Sequence, residues 1–336
     1  MHYLPDYHQP WLQDNTVGPL LTVNNLATHF HLSSGLLKAV DGVDFSLDEG
    51  ETLALVGESG CGKSVTAYSI MRLVSPPGRI VSGEIVFNGA DLLQIPEENM
   101  QKVRGNHISM IFQEPMTSLN PVLRVGEQIM EGLLLHRQLS RNEACAEGIE
   151  LLGQVGIPSA AERFDDYPHR LSGGMRQRVM IAIALACRPR ILIADEPTTA
   201  LDVTIQAQIL ELIDRLKVEN RMGLILITHD LGIVAERSGK TAIMYAGKIV
   251  EYADTGEIFR NPLHPYTKGL LNSLPQAAEP GQPLPTIPGQ VPNLLAGLPG
   301  CGFCERCPEK SWVCHEEKPL LKEAGAGHLV RCWKFP

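Results

Sequence analysis

A glycine-rich loop between an apolar strand and a helical pattern constrains this chain more than any other feature. The segment TLALVGESGCGKSVTAYSIM contains G-x-x-x-x-G-K-S, with Gly57, Gly62, Lys63 and Ser64 at the fixed positions. The glycines let backbone N–H groups turn inward around phosphate oxygens, and the following helix presents its positive N-terminal end. Lysine and serine at these positions reach the phosphates and a Mg²⁺ ion. The loop therefore predicts a site for a nucleoside triphosphate.

Strand-like apolar runs alternate with helix-like stretches through most of the chain. TLALVG, ILIAD and GLILITHD are predicted strands, whereas VTIQAQILELIDRLKVE places Ile205, Ile209, Ile213 and Leu216 on one helical face. Such alternation favours a largely parallel sheet covered by helices. The sequence contains no internal repeat, so a single nucleotide-binding domain is expected.

The bulk composition excludes several other classes of protein. Apolar residues make up 44% and charged residues 20% of the 336 positions, which is ordinary for a globular protein. The net charge of −9 argues against a dedicated nucleic-acid binder, which needs a basic surface. No apolar run is long enough to span a bilayer, and the N-terminus lacks the features of a secretory signal. A cytosolic location is therefore expected, and disulfides are rare there.

Two further predicted strands end in residues suited to phosphate chemistry. ILIADEP ends in Asp195, a candidate Mg²⁺ contact, followed by Glu196, which is suited to polarising an attacking water. Taken alone, Glu196 is better interpreted as an exposed carboxylate at a strand end. GLILITHD places His229 where a side chain meets the γ-phosphate, although a lone histidine at a strand end is usually structural.

Five motifs in a fixed order resemble those of the ATP-binding subunit of an ABC transporter. They are GESGCGKS, IFQEP, LSGGMRQR, ILIADEPTTALD and ITHD, and the match covers about residues 20–259. The resemblance implies an α/β fold with a P-loop, RecA-like ATPase core, a small antiparallel β subdomain and an inserted helical subdomain. An irregular, cysteine-rich C-terminal extension follows that core.

The resemblance also implies how the site residues divide their work on ATP and Mg²⁺. Glu196 is the implied catalytic carboxylate, His229 contacts the γ-phosphate, and Gln113 senses Mg²⁺ and water and faces the membrane subunits. The implied Mg²⁺ ligands are Ser64, Gln113 and, through the hydration shell, Asp195. The residues implied to hold the phosphates are Gly57, Glu58, Ser59, Gly60, Cys61, Gly62, Lys63, Ser64 and Val65.

A second set of residues is implied to act between subunits. The signature residues Ser172, Gly173 and Gly174 act in trans on ATP held by a partner, and Asp202 belongs to the loop that crosses between two ATPase subunits. This agrees with the sequence pattern, because SGG leads into a helix and offers N–H groups to a phosphate. One chain therefore does not complete its own site. Phe30 is the best-placed aromatic residue to stack on adenine, and a core phenylalanine is an equal alternative.

Details within and after these motifs resemble the dipeptide and oligopeptide importers of bacteria, most of all the first ATPase subunit of a dipeptide importer. They are QEPMTSLNPV, YPHRLSGGMRQRVMIA and NPLHPYTKGLL. This resemblance implies ATP hydrolysis that powers peptide import at the cytoplasmic face of the bacterial inner membrane. The implied partners are a homologous second ATPase subunit, two membrane-spanning permease subunits and, indirectly, an external peptide-binding protein, with no nucleic acid. The alternative is an ABC-type ATPase that acts on the ribosome or on DNA.

Changes in composition along the chain predict four regions. Residues 1–18 form an N-terminal arm, and residues 19–260 form the nucleotide-binding domain, with the helical subdomain and the signature motif at about 105–180. Residues 261–300, rich in proline and glycine, form an extended connection. Residues 301–336 form a cysteine-rich, metal-binding tail.

The tail holds five of the eight cysteines within 32 residues, a density that argues against chance. Four thiolates suit either structural zinc or an iron–sulfur cluster, and spacing alone does not separate the two. The family resemblance implies a 4Fe–4S cluster and selects four ligands, whereas the two consecutive CxxC steps favour Cys304 as an alternative ligand. The ligands implied by the resemblance are Cys301, Cys307, Cys314 and Cys332.

Overall fold

The computed structural model describes residues 18–113, 118–198, 202–274 and 285–335. The chain divides into two compact units. Unit 1 combines the residues up to Asp48 with Leu55–Pro96 and the residues from Asp230 onward, and unit 2 combines Glu49–Ala54 with Glu97–His229. Most of the predicted N-terminal arm, and residues 275–284 of the predicted connection, lie outside the described residues. The four predicted region boundaries remain predictions.

The described elements are numbered in chain order. The strands are β1 (Leu21–Leu32), β2 (Gly35–Leu47), β3 (Thr52–Val56), β4 (Gly78–Phe87), β5 (Ala90–Asp91), β6 (Ile108–Ile111), β7 (Ile191–Asp195), β8 (Gly223–Thr228), β9 (Lys240–Tyr245), β10 (Lys248–Asp254), β11 (Lys322–Gly325) and β12 (His328–Val330). The α-helices are α1 (Lys63–Ile70), α2 (Glu97–Val103), α3 (Val125–His136), α4 (Arg141–Gln154), α5 (Ala160–Phe164), α6 (Gly173–Leu185), α7 (Val203–Asn220), α8 (Leu231–Arg237), α9 (Thr255–Arg260), α10 (Pro265–Asn272) and α11 (Val313–Glu316). The 3-10 helices are Pro168–Arg170, Leu294–Ala296 and Cys304–Arg306.

Unit 1 contains an antiparallel sheet with the strand order β2-β1-β4-β5. Leu21 of β1 pairs with Leu47 on one side and Phe87 on the other, and all three side chains are buried. The period-2 alternation of a strand directs these apolar side chains to one face of the sheet. This sheet confirms the predicted small antiparallel β subdomain.

The C-terminal residues of unit 1 join a second sheet, in which β10 pairs with β9 and with β12, and β12 pairs with β11. Glu251 of β10 lies opposite Val330 of β12, and both are fully buried. The prediction of an irregular extension is therefore wrong for these residues. The composition of this segment did not indicate the strands, because β12 has only three residues and its partner β10 is distant in sequence. His328 of β12 and Glu251 of β10, which are hydrogen-bonded, are 77 positions apart.

Unit 2 is built on the parallel strands β6, β7 and β8. Every residue of β7 and β8 is buried, which is typical of a parallel strand covered on both faces. The carboxyl ends of parallel strands meet at one edge of a sheet, and this edge carries Asp195 and Thr228. The parallel sheet and the helices α3 to α6 confirm the predicted ATPase core with an inserted helical subdomain.

Helix α7 follows Asp202, whose side chain accepts a hydrogen bond from the Ile205 N–H at 2.9 Å. The predicted apolar face is buried at Ile209, Ile213 and Leu216, whereas Ile205 is only half-buried. No helix in the described part of the chain is both long and apolar enough to span a bilayer.

Candidate nucleotide site

The phosphate loop, residues 57–64, lies in unit 1 and connects β3 to α1. A Cβ at Gly57 would lie 2.2 Å from the Met244 carbonyl oxygen, and a Cβ at Gly62 would lie 2.4 Å from the Ala39 carbonyl oxygen. Gly62 also has a φ of +108°, which favours glycine. Gly57 is thus required by backbone contact, and Gly62 by both backbone contact and conformation.

Lys63, the first residue of α1, points back into its own loop. Its Nζ donates to the carbonyl oxygens of Gly57 at 2.8 Å and Glu58 at 3.1 Å, and its side chain is buried. The Cys61 thiol is buried beside it, and burial raises its pKa. The remaining predicted loop residues are exposed at Ser59 and Gly60 and half-buried at Ser64 and Val65.

Glu58 links this loop to two residues that the sequence analysis did not select. Its backbone N–H donates to Tyr266 Oη at 3.0 Å. Its carboxylate accepts from Arg306 Nη1 at 2.8 Å and Nη2 at 3.0 Å. Tyr266 lies in NPLHPYTKGLL, which was interpreted only as part of the family resemblance, and Arg306 lies in the cysteine-rich tail, where only the cysteines were considered as site residues.

Phe30 is a half-buried residue of β1 in unit 1. Its ring lies against Gly78, where an added Cβ would come within 2.5 Å of Phe30 Cε1. The contact fixes one side of the ring against β4. Stacking of this ring on adenine remains a prediction.

Unit 2 brings three of the predicted catalytic residues together beyond the end of β7. Gln113 Nε2 donates to Glu196 Oε2 at 3.1 Å, and His229 Nδ1 lies 3.4 Å from Glu196 Oε1. Glu196 adopts a φ of +46°, and its backbone N–H donates to the Ile227 carbonyl at 2.9 Å. Asp195 is the last residue of β7 and is fully buried. The geometry therefore places a carboxylate between an amide and an imidazole.

Gln177 supports this group from helix α6, and the sequence analysis did not select it. Its side chain is 2% exposed, and its Nε2 donates to the Pro197 carbonyl at 2.5 Å. The residue after Glu196 is thereby tied to the helix that carries the signature motif. A glutamine on the buried face of a predicted helix was the available signal, since buried polar side chains are hydrogen-bonded.

The signature residues form the exposed start of α6. Ser172 caps this helix by accepting from the Met175 N–H at 3.3 Å, and Ser172 and Gly173 are exposed. A Cβ at Gly174 would lie 3.2 Å from Ile205 Cγ2, so this glycine lets α6 begin close to α7. An exposed helix N-terminus with free N–H groups is suited to contact a phosphate. Asp202, at the start of α7, is also exposed.

The five cysteines of the C-terminal segment, residues 285–335, surround one cavity of about 290 Å³ in unit 1. The Cys301 N–H donates to the Cys314 carbonyl at 2.8 Å, which joins two of the turns that carry them. Burial raises the pKa of the Cys301 thiol to about 12 and also raises that of Cys304. Each cysteine is a free thiol; the five are Cys301, Cys304, Cys307, Cys314 and Cys332.

Each unit, taken by itself, has residues of types that suit ATP or Mg²⁺. The close backbone approach at Gly57 and Gly62 forms the cradle that phosphate oxygens require. Hydroxyl, amide and carboxylate oxygens are the ligands that Mg²⁺ prefers; Ser64 in unit 1 offers a hydroxyl, and Gln113 and Asp195 in unit 2 offer an amide and a carboxylate. The donor set is therefore suitable, and its assignment to the ion remains a prediction.

Two curated relatives are similar over nearly the whole chain. A probable peptide ABC transporter ATP-binding protein of Sinorhizobium fredii, y4tR, is 53% identical over 319 residues, which cover 94% of this chain and 95% of the relative. The oligopeptide transport ATP-binding protein OppD of Escherichia coli is 50% identical over 315 residues, which cover 94% and 93%. The same ATP-binding role is described for both.

The comparisons overturn the predicted iron–sulfur cluster. The relatives are described as ATP-binding proteins of peptide transporters, without a cluster. Among the described residues, the group of potential metal ligands with donor atoms within 4.8 Å of one another is Cys304, Glu305 and His315, which is not the predicted set. Cysteine is also one of the most frequently buried residues, so thiol density alone does not require a metal. The assignments thereby corrected are Cys301, Cys307, Cys314 and Cys332.

Matches to families and to a solved structure agree with these relatives. Residues 40–199 match the ABC transporter family, and residues 250–314 match the oligopeptide/dipeptide transporter C-terminal region. A dimeric structure of a bacterial ABC transporter cassette is 26% identical, with a TM-score of 0.63, and the match covers 70% of this chain and 98% of that one. The chain belongs to the family of ATP-binding subunits of oligopeptide and dipeptide ABC transporters.

Proposed function

We propose that this chain hydrolyses ATP to power the import of di- or oligopeptides through an ABC transporter. The observation that carries the hydrolysis is the placement of the Glu196 carboxylate between Gln113 and His229. The peptide substrate is supported by the relatives, which are described as oligopeptide and dipeptide transport proteins, and by the match of residues 250–314.

In this proposal the phosphate loop holds the triphosphate. Inward-facing N–H groups of residues 57–64 and the N-terminus of α1 bind the phosphate oxygens. Lys63 donates to the phosphates while the carbonyls of Gly57 and Glu58 hold its Nζ in place, since a lysine ammonium has three donors. Ser64, Gln113 and Asp195 hold Mg²⁺, which supplies neutralisation of phosphate charge when it is bound with ATP. Phe30 provides the face on which adenine stacks.

Glu196 acts as the general base in the hydrolysis step. Its carboxylate takes a proton from the attacking water, and the hydroxide equivalent forms the new bond to the γ-phosphorus as the bond to the leaving ADP oxygen breaks. Gln113 donates to one carboxylate oxygen and His229 lies beside the other, so both orient the base. His229 is also placed to contact the γ-phosphate.

We propose that a second ATPase subunit completes the site. Ser172, Gly173 and Gly174 are exposed or half-exposed at the start of a 13-residue helix, and Asp202 is exposed at the start of the next. These groups are free to contact ATP held by a partner, in keeping with the dimeric cassette to which the chain is similar. The proposal includes two permease subunits and a peripheral position at the cytoplasmic face of the inner membrane. No finding supports action on the ribosome or DNA.

Reconstitution tests this proposal. The tagged full chain is isolated from detergent-solubilised membranes with the subunits that co-purify, and is then returned to vesicles with a peptide-binding protein and labelled peptides. We expect uptake that requires ATP, is lost with Lys63→Ala and persists with Lys102→Ala, an exposed lysine of α2. Recovery with ribosomes or DNA instead of membrane subunits, or uptake that survives Lys63→Ala, would contradict the proposal.

A further inference from the structure

The C-terminal segment reaches the phosphate loop through one arginine. Arg306 lies in the 3-10 helix Cys304–Arg306, and its guanidinium binds both carboxylate oxygens of Glu58, the residue after the first loop glycine. A planar guanidinium that binds a carboxylate through two parallel hydrogen bonds forms one of the stronger and more directional polar contacts in proteins. The two residues are 248 positions apart in sequence, so the contact is a feature of the folded unit.

Every N–H of the Arg306 guanidinium has an acceptor. Besides the two bonds to Glu58, Nη1 donates to Tyr245 Oη at 3.3 Å, Nε donates to the Pro288 carbonyl at 3.1 Å, and Nη2 donates to the Ile287 carbonyl at 3.3 Å. An arginine side chain has five such donors, so its hydrogen-bonding capacity is fully used here. The contact with Glu58 raises the pKa of Arg306, which stays charged. The guanidinium is therefore fixed in one orientation.

Three buried aromatic rings pack beside the contact between Arg306 and Glu58. The Tyr245 ring lies 4.6 Å from that of Tyr266 and 5.2 Å from that of Phe303 between centroids, and the Arg306 guanidinium lies 5.7 Å from the Tyr245 ring. Each of the three rings is at most 2% exposed. Packing against these rings restricts Arg306, because moving its side chain would leave a cavity or create a steric clash.

Glu58 of the phosphate loop is held through its carboxylate, its N–H and its carbonyl. Arg306 binds its carboxylate, Tyr266 Oη accepts its N–H, and its carbonyl accepts both from Lys63 Nζ at 3.1 Å and from the Cys61 N–H at 3.2 Å. A shift of Glu58 would therefore displace the carbonyl that positions Lys63. Arg306 and Lys63 are connected through a single residue.

We infer that Arg306 is a positioning residue for the phosphate loop, through which the C-terminal segment contributes to the nucleotide site. The inference rests on the proposed function, because it assigns ATP binding to that loop. It makes the C-terminal segment a determinant of ATP affinity in addition to a structural extension. Loss of the Arg306–Glu58 contact leaves Lys63 and the loop N–H groups displaced from the phosphates.

Binding of a fluorescent ATP analogue to the full chain, with Mg²⁺, tests the inference. We expect Arg306→Met to raise the Kd at least about tenfold, and Arg306→Lys to raise it less, since lysine keeps the charge and loses the two-pronged geometry. Glu58→Gln should raise the Kd similarly, and the double variant should be no weaker than the worse single variant, since both remove one contact. Should Arg306→Met fail to fold, Arg306→Lys and Glu58→Gln provide the same test.

Arg331→Met is the matched control. Arg331 lies in the same segment, but its hydrogen bonds go to the carbonyls of Gly42, Ile249 and Pro319. We expect its loss to lower the melting temperature and to leave the Kd within about twofold of wild type. Equal weakening by both arginine variants, a wild-type Kd for Arg306→Met, or additive effects in the double variant would overturn the inference alone. A wild-type chain that binds no analogue would overturn the proposed function as well.

Discussion

The phosphate loop and the C-terminal segment both concentrate polar contacts in unit 1, but their contacts span very different distances along the chain. In the loop, Lys63 Nζ binds the Gly57 carbonyl six residues away, and Thr66 Oγ1 binds the Gly62 carbonyl four residues away. In the C-terminal segment, Arg306 binds Glu58 at a separation of 248 residues. Local contacts of the first kind are dictated by a short motif, whereas the second kind exists only after the chain has folded.

This difference separates what a motif determines from what the tertiary structure adds. The hydrogen bonds of Lys63 and Thr66 are made within residues 57–66, so the same pattern is expected to form them wherever it follows a strand and precedes a helix. The position of Glu58 also depends on Tyr266 and Arg306, and the loop motif does not specify either residue. The nucleotide site thus combines a local cradle with a long-range support.

Replacement of Gly62 by alanine tests the phosphate-loop side of the comparison and has the largest expected effect. The substitution forces a Cβ to within 2.4 Å of the Ala39 carbonyl oxygen at a φ of +108°. Left-handed strain costs about 1–2 kcal/mol and the backbone clash adds to it. We expect ATP affinity to fall about 100-fold, equivalent to about 2.8 kcal/mol, in an equilibrium binding measurement.

Gly153→Ala is the control for this substitution. Gly153 lies in helix α4 with nothing within 4 Å of an added Cβ. Alanine should leave ATP affinity unchanged and stabilise the helix by about 0.5–1 kcal/mol. Equal ATP affinity in the two alanine variants would show that the loop does not depend on glycine at position 62.

The burial of His264, the residue before helix α10, predicts that the free energy of unfolding depends on pH. Burial lowers the pKa of His264 to about 3, and its Nδ1 accepts from the Tyr266 N–H at 3.0 Å. The unfolded chain binds a proton near pH 6.5 and the folded chain does not, so stability falls as the pH drops from about 6.5 toward 3. Between pH 7.5 and 5.5 this group should cost about 1.4 kcal/mol of unfolding free energy.

His264→Asn should remove that loss, because asparagine keeps the helix cap of α10 and does not titrate. Urea unfolding at both pH values measures the difference, and His31→Asn, at an exposed position, is the control. Should the asparagine variant lose as much stability as the wild type between the two pH values, His264 would not be held neutral by burial.

Tyr266→Phe has the smallest expected effect and tests the long-range support directly. The variant keeps the ring and removes the oxygen that accepts the Glu58 N–H at 3.0 Å. An unsatisfied, partly buried donor costs about 1 kcal/mol, so the Kd for ATP should rise about fivefold. Tyr252→Phe removes a hydroxyl that donates to the Ser46 carbonyl at 3.4 Å and should leave the Kd unchanged. If Tyr266→Phe and Tyr252→Phe gave the same Kd for ATP, ATP binding would depend on local contacts of the loop alone.

The sequence predicted the parts of the molecule whose geometry is local or carried by motifs. Gly62 and Lys63 lie as the loop pattern requires, and the strand β7 ends at Asp195 as its apolar run indicates. The support from Tyr266 and Arg306 was not predicted, since no local pattern specifies a partner 208 or 248 residues away.

The cysteine-rich tail shows the opposite error. Its cysteine density was taken to indicate a metal site, and the family resemblance implied that this site holds a 4Fe–4S cluster, whereas cysteine density does not fix how donor atoms are arranged. The short strand β12 pairs with β10, and His328 of β12 is hydrogen-bonded to the buried Glu251 of β10. Because both contacts depend on a distant strand, the regular structure of this segment was not predicted.

The substitution Glu196→Gln tests the central claim, hydrolysis of ATP at the end of β7, most directly. Glutamine keeps the size of the side chain and removes the base, so phosphate release by the assembled transporter should fall at least about 100-fold while ATP binding stays within about twofold. Glu211→Gln, at an exposed position of α7, should retain wild-type turnover. Wild-type phosphate release by the Glu196→Gln variant would contradict the account, because the carboxylate between Gln113 and His229 would then not be the base.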